Sequence, residues 1–140
     1  MSKVTLLKPS GQYSEVPLYS GKVSAGFPGV VDEHMEDSLS LDQLLIKHPA
    51  TTFFAKVEGD SMLGAGILQN DVLVVDRSLT AKDKDVVVAL LNNEFTVKRL
   101  RTHGGLRLQA ENPNYSDIQV TGEVELVIWG VVTGIARSLM

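Results

Sequence analysis

Two side chains of this sequence could together hydrolyse an amide bond. Ser61 lies in Val57-Glu58-Gly59-Asp60-Ser61-Met62, a run that leaves a strand-like segment, turns at a glycine and presents a hydroxyl beyond the reach of strand pairing. A nucleophile and the backbone N–H groups of an oxyanion hole can share such a turn. A serine hydroxyl is a weak nucleophile at neutral pH and needs a base about 3 Å away. The three histidines have no local support for that role: His34 lies in the N-terminal segment, His48 precedes Pro49, and His103 sits in the turn Thr102-His103-Gly104-Gly105. Lys98 is the other candidate. In the segment 94–100, alternation puts Phe95, Val97 and Arg99 on one face and Thr96, Lys98 and Leu100 on the other. A lysine held between apolar walls can lose its proton, although moving its pKa from about 10.4 to near 7 costs roughly 4 to 5 kcal/mol. Such a cost is seldom tolerated without a use, and activating a serine is one.

Residue types alone favour plainer readings. Gly-Asp-Ser is a common turn composition, so Ser61 reads as a turn or cap residue, and Lys98 reads as a solvated strand lysine. Alternation does not say which face of the strand is buried. Asp71, Asp76 and Glu94 each flank a strand or turn and read as solvated charges without a chemical role, and Lys82-Asp83-Lys84-Asp85 reads as a charged surface loop.

The elements that must position these side chains are mostly strands. The segments 52–57, 72–75, 86–91, 94–100, 106–109, 118–120 and 126–132 are rich in β-branched and aromatic residues. Asn92-Asn93 separates two of them, and asparagine tolerates the positive φ of a two-residue hairpin turn. Ser40-Leu41-Asp42-Gln43 has capping-box spacing and predicts a short helix through Leu44, Leu45 and Ile46, ended by Pro49. Before it, Pro9, Gly11, Pro17, Gly21, Gly26, Pro28 and Gly29 interrupt each apolar run, which predicts an extended arm with no regular element. The expected architecture is mainly β: a small antiparallel barrel or sandwich over residues 41–140, one short helix, and an N-terminal arm over residues 1–40.

The chain has 140 residues, enough for one domain with a substantial core. A net charge of -4 offers no general attraction for phosphate backbones, so direct DNA binding is not expected and a protein partner is. The absence of cysteine excludes thiolate catalysis and cysteine metal sites and permits a reducing compartment, the cytoplasm by default. No metal or cofactor is expected. No run approaches the roughly 20 apolar residues of a membrane span, and Met1–Ser20 lacks the features of a secretory signal, so no membrane association is expected.

Three segments together resemble the LexA/UmuD family of self-cleaving Ser/Lys peptidases: Gly59-Asp60-Ser61-Met62, Asp71-Val72-Leu73-Val74-Val75-Asp76, and Glu94-Phe95-Thr96-Val97-Lys98-Arg99-Leu100. The 37-residue spacing from Ser61 to Lys98 fits, and similarity extends to 42–49 and to Trp129-Gly130-Val131-Val132. The resemblance implies a core of the LexA and signal-peptidase type, with Ser61 as nucleophile, Lys98 as base and the backbone N–H groups of Asp60 and Ser61 as oxyanion hole. It implies a scissile bond between Ala25 and Gly26, within the 1–40 arm. It further implies an SOS-response protein whose cleavage is stimulated by a RecA filament on single-stranded DNA. The processed form would be a homodimer serving as accessory subunit of an error-prone, UmuC-like translesion DNA polymerase. Where family members often have Asp-Gly and Gly-Asp, this chain has Leu63-Gly64 and Asn70-Asp71. Alternatives from other classes are a non-enzymatic polymerase regulatory subunit of the same fold, a signal-peptidase-like enzyme and a repressor fragment. A missing membrane anchor speaks against the second, and net charge and a missing helix-turn-helix speak against the third.

Overall fold

Strand-forming residues dominate the chain from residue 52 onward, and a computed structural model, which describes residues 3–9, 16–20 and 34–140, places them in one antiparallel sheet. The strands are β1 (Lys3–Leu7), β2 (Val16–Ser20), β3 (His34–Leu39), β4 (Thr52–Glu58), β5 (Val72–Asp76), β6 (Val86–Leu91), β7 (Glu94–Arg101), β8 (Arg107–Gln109), β9 (Ile118–Gln119) and β10 (Leu126–Ala136). The main sheet has the order β1-β4-β5-β10-β6-β7-β8-β9, and β2 pairs with β3 in a separate ribbon. Register shifts at Ile128/Gly130 and Val132/Gly134 bend β10, so that its first half pairs with β6 and its second half with β5. The sheet curls until β1 touches β7, which is not its hydrogen-bonded neighbour. The mainly β, barrel-like architecture expected from the sequence is the one observed.

Local chemistry explains the turns. Leu91 pairs with Glu94, leaving Asn92 and Asn93 as a two-residue loop with φ of 48° and 67°, the left-handed conformations that such a hairpin demands. Asn70 has φ 70° just before β5, a left-handed conformation that asparagine tolerates better than most residues. Ser40 caps α1 (Leu41–Leu45), its hydroxyl accepting from the Gln43 N–H at 3.3 Å. The helix stops one residue earlier than expected, with Ile46 already extended, and Pro49 opens a single 3-10 turn.

The expectation of an arm without regular elements needs correction, because β1, β2 and β3 all form there. Five residues suffice for a strand when an edge is available: Lys3 to Leu7 pair in register with Glu58 to Phe54 of β4. Proline and glycine nearby in sequence do not prevent these strands, and Pro17 lies inside β2 of a two-stranded ribbon, where an edge position can forgo a ladder donor.

The core has two parts. Ala55, Val57, Met62, Ile67, Leu73, Val75, Val88 and Val97 form one, against which Val4, Leu6, Phe95 and Trp129 pack. Val87, Ala89, Leu100 and Leu108 form the other. Strand β7 contributes Val97 to the first and Leu100 to the second, so it is buried on both faces. Among the described residues no helix is long and apolar enough to cross a membrane.

Candidate active site

The turn after β4 holds the serine. Gly59 adopts φ 93°, a left-handed conformation that lets the chain reverse and carry Asp60 and Ser61 beyond the last β4 residue. Ser61 and Met62 then turn inward, at 0% and 1% exposure. Met62 inserts into the first core, which anchors the turn from below.

Lys98 stands in the middle of β7 and is 2% exposed. Its cross-strand partner on the same face is Val87, and Thr96 two residues earlier is opposite Ala89, both partners fully buried. This wall pushes the Lys98 ammonium down to about 8, because burial strips water from the charged form. Among the described residues Lys98 has no carboxylate partner to restore it. Its Nζ lies 3.0 Å from Ser61 Oγ, 3.0 Å from Thr96 Oγ1 and 3.1 Å from the Val97 carbonyl.

Three partners suit both protonation states. An ammonium can donate to all three. A neutral amine has two N–H groups and one lone pair; the Val97 carbonyl can only accept, the Thr96 hydroxyl can accept, and the lone pair then faces the Ser61 hydroxyl. An arrangement of this kind can take a proton from a serine without moving a heavy atom, which is what nucleophilic activation requires.

The loop after β8 closes over the serine turn. Asn112 Nδ2 donates to the Asp60 carbonyl at 2.9 Å, and the Tyr115 hydroxyl donates to Asp60 Oδ1 at 2.6 Å, which raises the Tyr115 pKa. The Gly64 N–H donates to the Glu111 carbonyl at 2.7 Å, and the Glu111 side chain pairs with Arg99, the neighbour of Lys98. Sequence reading missed this loop, since Asn112-Pro113-Asn114 has only the composition of a turn. It also missed Thr96, although alternation put that residue on the face of Lys98.

Other candidate residues lie apart. His48 Nδ1 pairs with Asp76 Oδ2 at 2.5 Å, and the His103 ring, 81% exposed, is 3.9 Å from Asp83; neither is bonded to Ser61 or Lys98. The reading of Asp71 and Asp76 as solvated charges is overturned, for both are buried, at 0% and 3% exposure. Arg137 grips Asp71 through two bonds of 2.6 Å and lowers its pKa. For Asp76, burial pushes the pKa up, but bonds from Ser78, His48 and Thr51 outweigh it and bring it to about 2. Burial with several donors, which flanking position does not reveal, makes these carboxylates structural anchors. Glu94 is exposed as expected, and with Leu91, Asn92 and Thr96 it lines a cleft of about 290 Å³ that reaches Thr96 beside the lysine. Ala25 and Gly26 lie outside the described residues. No cluster of His, Asp and Glu among the described residues could hold a metal ion.

With this geometry in view, similarity to known proteins gains meaning. The Peptidase S24-like family model matches residues 17–133. The chain is 40% identical over 136 residues to the LexA repressor of Anaeromyxobacter sp. (strain Fw109-5), covering 95% of the chain and 58% of that repressor. It is 40% identical over 134 residues to Protein MucA of Salmonella typhimurium, covering 94% of the chain and 92% of MucA. The LexA repressor of Clostridium perfringens (strain 13 / Type A) is 38% identical over 136 residues, with 96% of the chain and 65% of the repressor covered. The chain thus spans little more than half the length of the first of these repressors and nearly all of MucA.

Proposed function

Because the chain belongs to the Peptidase S24-like family, we propose that it is a serine peptidase of the Ser/Lys type that cuts its own backbone once, between Ala25 and Gly26. The observation that carries this reading is the 3.0 Å approach of Lys98 Nζ to Ser61 Oγ, with both groups buried. Neutral Lys98 takes the Ser61 proton as Oγ attacks the Ala25 carbonyl carbon. The backbone N–H groups of Asp60 and Ser61 hold the oxyanion of the tetrahedral intermediate. That intermediate collapses with cleavage of the Ala25–Gly26 bond, Lys98 passes its proton to the departing Gly26 amine, and an Ala25 ester remains on Ser61. Water, deprotonated by Lys98, hydrolyses the ester and restores both side chains. Glycine at 26 lets the backbone enter a tight site, and alanine at 25 fits a shallow pocket.

Residues 1–40 act as the arm that carries the bond, and residues 41–140 as the peptidase domain. Both β1 and β2 precede Ala25 in the chain, so hydrolysis would cut their covalent tie to the sheets they pair with and leave Gly26–Met140 with newly available strand edges. The resemblance drawn from the sequence supports the wider setting: stimulation by a RecA filament on single-stranded DNA, a cytoplasmic location, and a processed homodimer that joins an error-prone, UmuC-like polymerase in translesion synthesis.

The test is incubation of the wild-type chain beside Ser61→Ala and Lys98→Ala at pH 7 and pH 10, with intact mass followed over time. A fragment beginning at Gly26 is expected from the wild type alone. With Lys98 at about 8, roughly a tenth of it is neutral at pH 7 and nearly all at pH 10, so cleavage should accelerate about tenfold; an unshifted lysine would give several hundredfold. A wild type that stayed intact at pH 10 and with activated RecA filaments would refute the peptidase reading in favour of a binding subunit.

A further inference from the structure

The carbonyl of Asp60 and the N–H of Ser61 belong to one peptide group. That group is planar and rigid, with its C=O and N–H pointing in opposite directions. Whatever fixes the carbonyl therefore aims the N–H. Asn112 Nδ2 donates to that carbonyl at 2.9 Å, from a loop 52 residues away in sequence. The orientation of the Asn112 amide is settled by its two neighbours: Asp60 O can only accept, and the Asn114 N–H, 2.9 Å from Asn112 Oδ1, can only donate. The Leu63 N–H reaches the same carbonyl at 3.4 Å, a long bond that leaves Asn112 as its close partner.

We propose that Asn112 is a positioning residue for amide hydrolysis at Ser61: by holding the Asp60 carbonyl it aims the Ser61 N–H at the oxyanion. The inference rests on the Ser/Lys reading above and adds to it the means by which the oxyanion hole is preorganised. A hydrogen bond accepted by the carbonyl also polarises the peptide and strengthens its N–H as a donor. The surrounding contacts make Asn112 a fixed support. Tyr115 holds the Asp60 carboxylate at 2.6 Å, and the Glu111 carbonyl takes the Gly64 N–H at 2.7 Å. The Glu111 side chain is tied to Arg99, one residue from Lys98. The loop from Glu111 to Tyr115 thus straps the turn of the nucleophile to the strand of the base. A Cβ on Gly64 would stand 2.7 Å from the Glu111 carbonyl oxygen, so only glycine allows the strap to close this far.

The deciding variant is Asn112→Asp, which keeps Oδ1 for the Asn114 N–H but removes the donor to Asp60; Asn112→Ala serves as its companion. Self-cleavage of the full chain is followed from pH 6 to 10, beside Ser61→Ala. An aimed oxyanion donor acts in the transition state and not on the titration of Lys98. The high-pH plateau should therefore fall about 10- to 100-fold while the midpoint of the pH profile stays near the wild-type value. In the Lys98→Ala chain, which stays intact, the residue 61 amide nitrogen should shift in a proton–nitrogen correlation spectrum when Asn112→Asp is added. Either variant that melts within a few degrees of its parent suffices. A plateau within twofold of wild type, a displaced midpoint with an unchanged plateau, or an unmoved residue 61 amide would overturn the assignment. If the wild type itself does not cleave, the Ser/Lys reading fails; the spectroscopic arm then still decides whether Asn112 sets the 60–61 peptide.

Discussion

Replacing Lys98 with methionine in a Ser61→Ala chain is expected to stabilise the protein at neutral pH and to lose that gain in alkali. Lys98 is 2% exposed, and burial lowers its pKa from 10.5 to about 8. The sign follows from which state holds the proton. Between about pH 8 and 10.5 the unfolded chain is protonated at Lys98 and the folded chain is not, so the contribution of this group to stability rises with pH across that window. Below pH 8 both states are protonated and the folded state carries the whole desolvation cost. At 1.36 kcal/mol per pH unit that cost is about 3 kcal/mol. Methionine has a similar length and no charge, but it leaves Thr96 Oγ1 and the Val97 carbonyl without their donor, a loss of about 1 kcal/mol. The net gain is about 2 kcal/mol at pH 7, or roughly 5–8 °C in Tm for a domain of this size. Thermal melts of Ser61→Ala and Ser61→Ala/Lys98→Met from pH 6.5 to 10.5 measure it. On the proposed mechanism Ser61→Ala should stay intact, and taking the difference cancels every other titrating group. The gain should shrink from about pH 8 upward and turn into a small loss near pH 10.5. A difference that stays flat across this range would refute the reasoning, for it would mean that Lys98 keeps its ordinary affinity for a proton and is no ready base at neutral pH.

Two further substitutions probe the frame around the site. Gly130→Ala places a Cβ 2.6 Å from Val75 Cγ1 in the core; overpacking there should cost about 1–3 kcal/mol and lower Tm, while cleavage well below Tm remains, and an unchanged melt would show that β10 yields freely at its bulge. Asp76→Asn removes a carboxylate whose pKa stands at about 2. A lowered pKa contributes stability that is present above about pH 4 and fades as pH falls toward 2, so the variant should be about 2 kcal/mol less stable at pH 7 and should approach its parent near pH 2 in urea titrations; a pH-independent difference would mean that the charge of Asp76 is not what the Ser78, Thr51 and His48 bonds hold.

Much of the fold was legible because its signals are local. The Asn92-Asn93 turn, the Ser40 cap and the β-branched runs of β4 to β10 each carry their own stereochemical reason. What was not legible depends on partners distant in sequence. Val4 and Thr5 alone are too short a β-branched run to announce a strand in Lys3–Leu7, whose reason to be one is the edge of β4, about fifty residues on. The same holds for Asp71, whose burial follows from Arg137 reaching back across 66 residues. Asn112 and Tyr115 read as loop residues because the carbonyl and carboxylate they hold, both of Asp60, lie more than 50 residues earlier.

Lys98 is the instructive intermediate. Its type and its spacing from Ser61 were visible, but alternation could not say whether its face was dry, and the structure shows why: β7 is covered on both sides, by Val88 and its cluster on one and by Val87 and Leu108 on the other. A strand buried on both faces gives no polar-apolar period to read. That double burial is also what lowers the Lys98 pKa, since a lysine on a one-sided sheet would find water within reach of its ammonium. The feature that lowers the Lys98 pKa is therefore the one that hides it from periodicity. A polar substitution in its wall, such as Val87→Thr, should make both properties retreat together, raising the pH midpoint of cleavage toward that of an ordinary lysine. If the midpoint stayed at about 8 after the wall was made polar, burial would not be the cause of the shift.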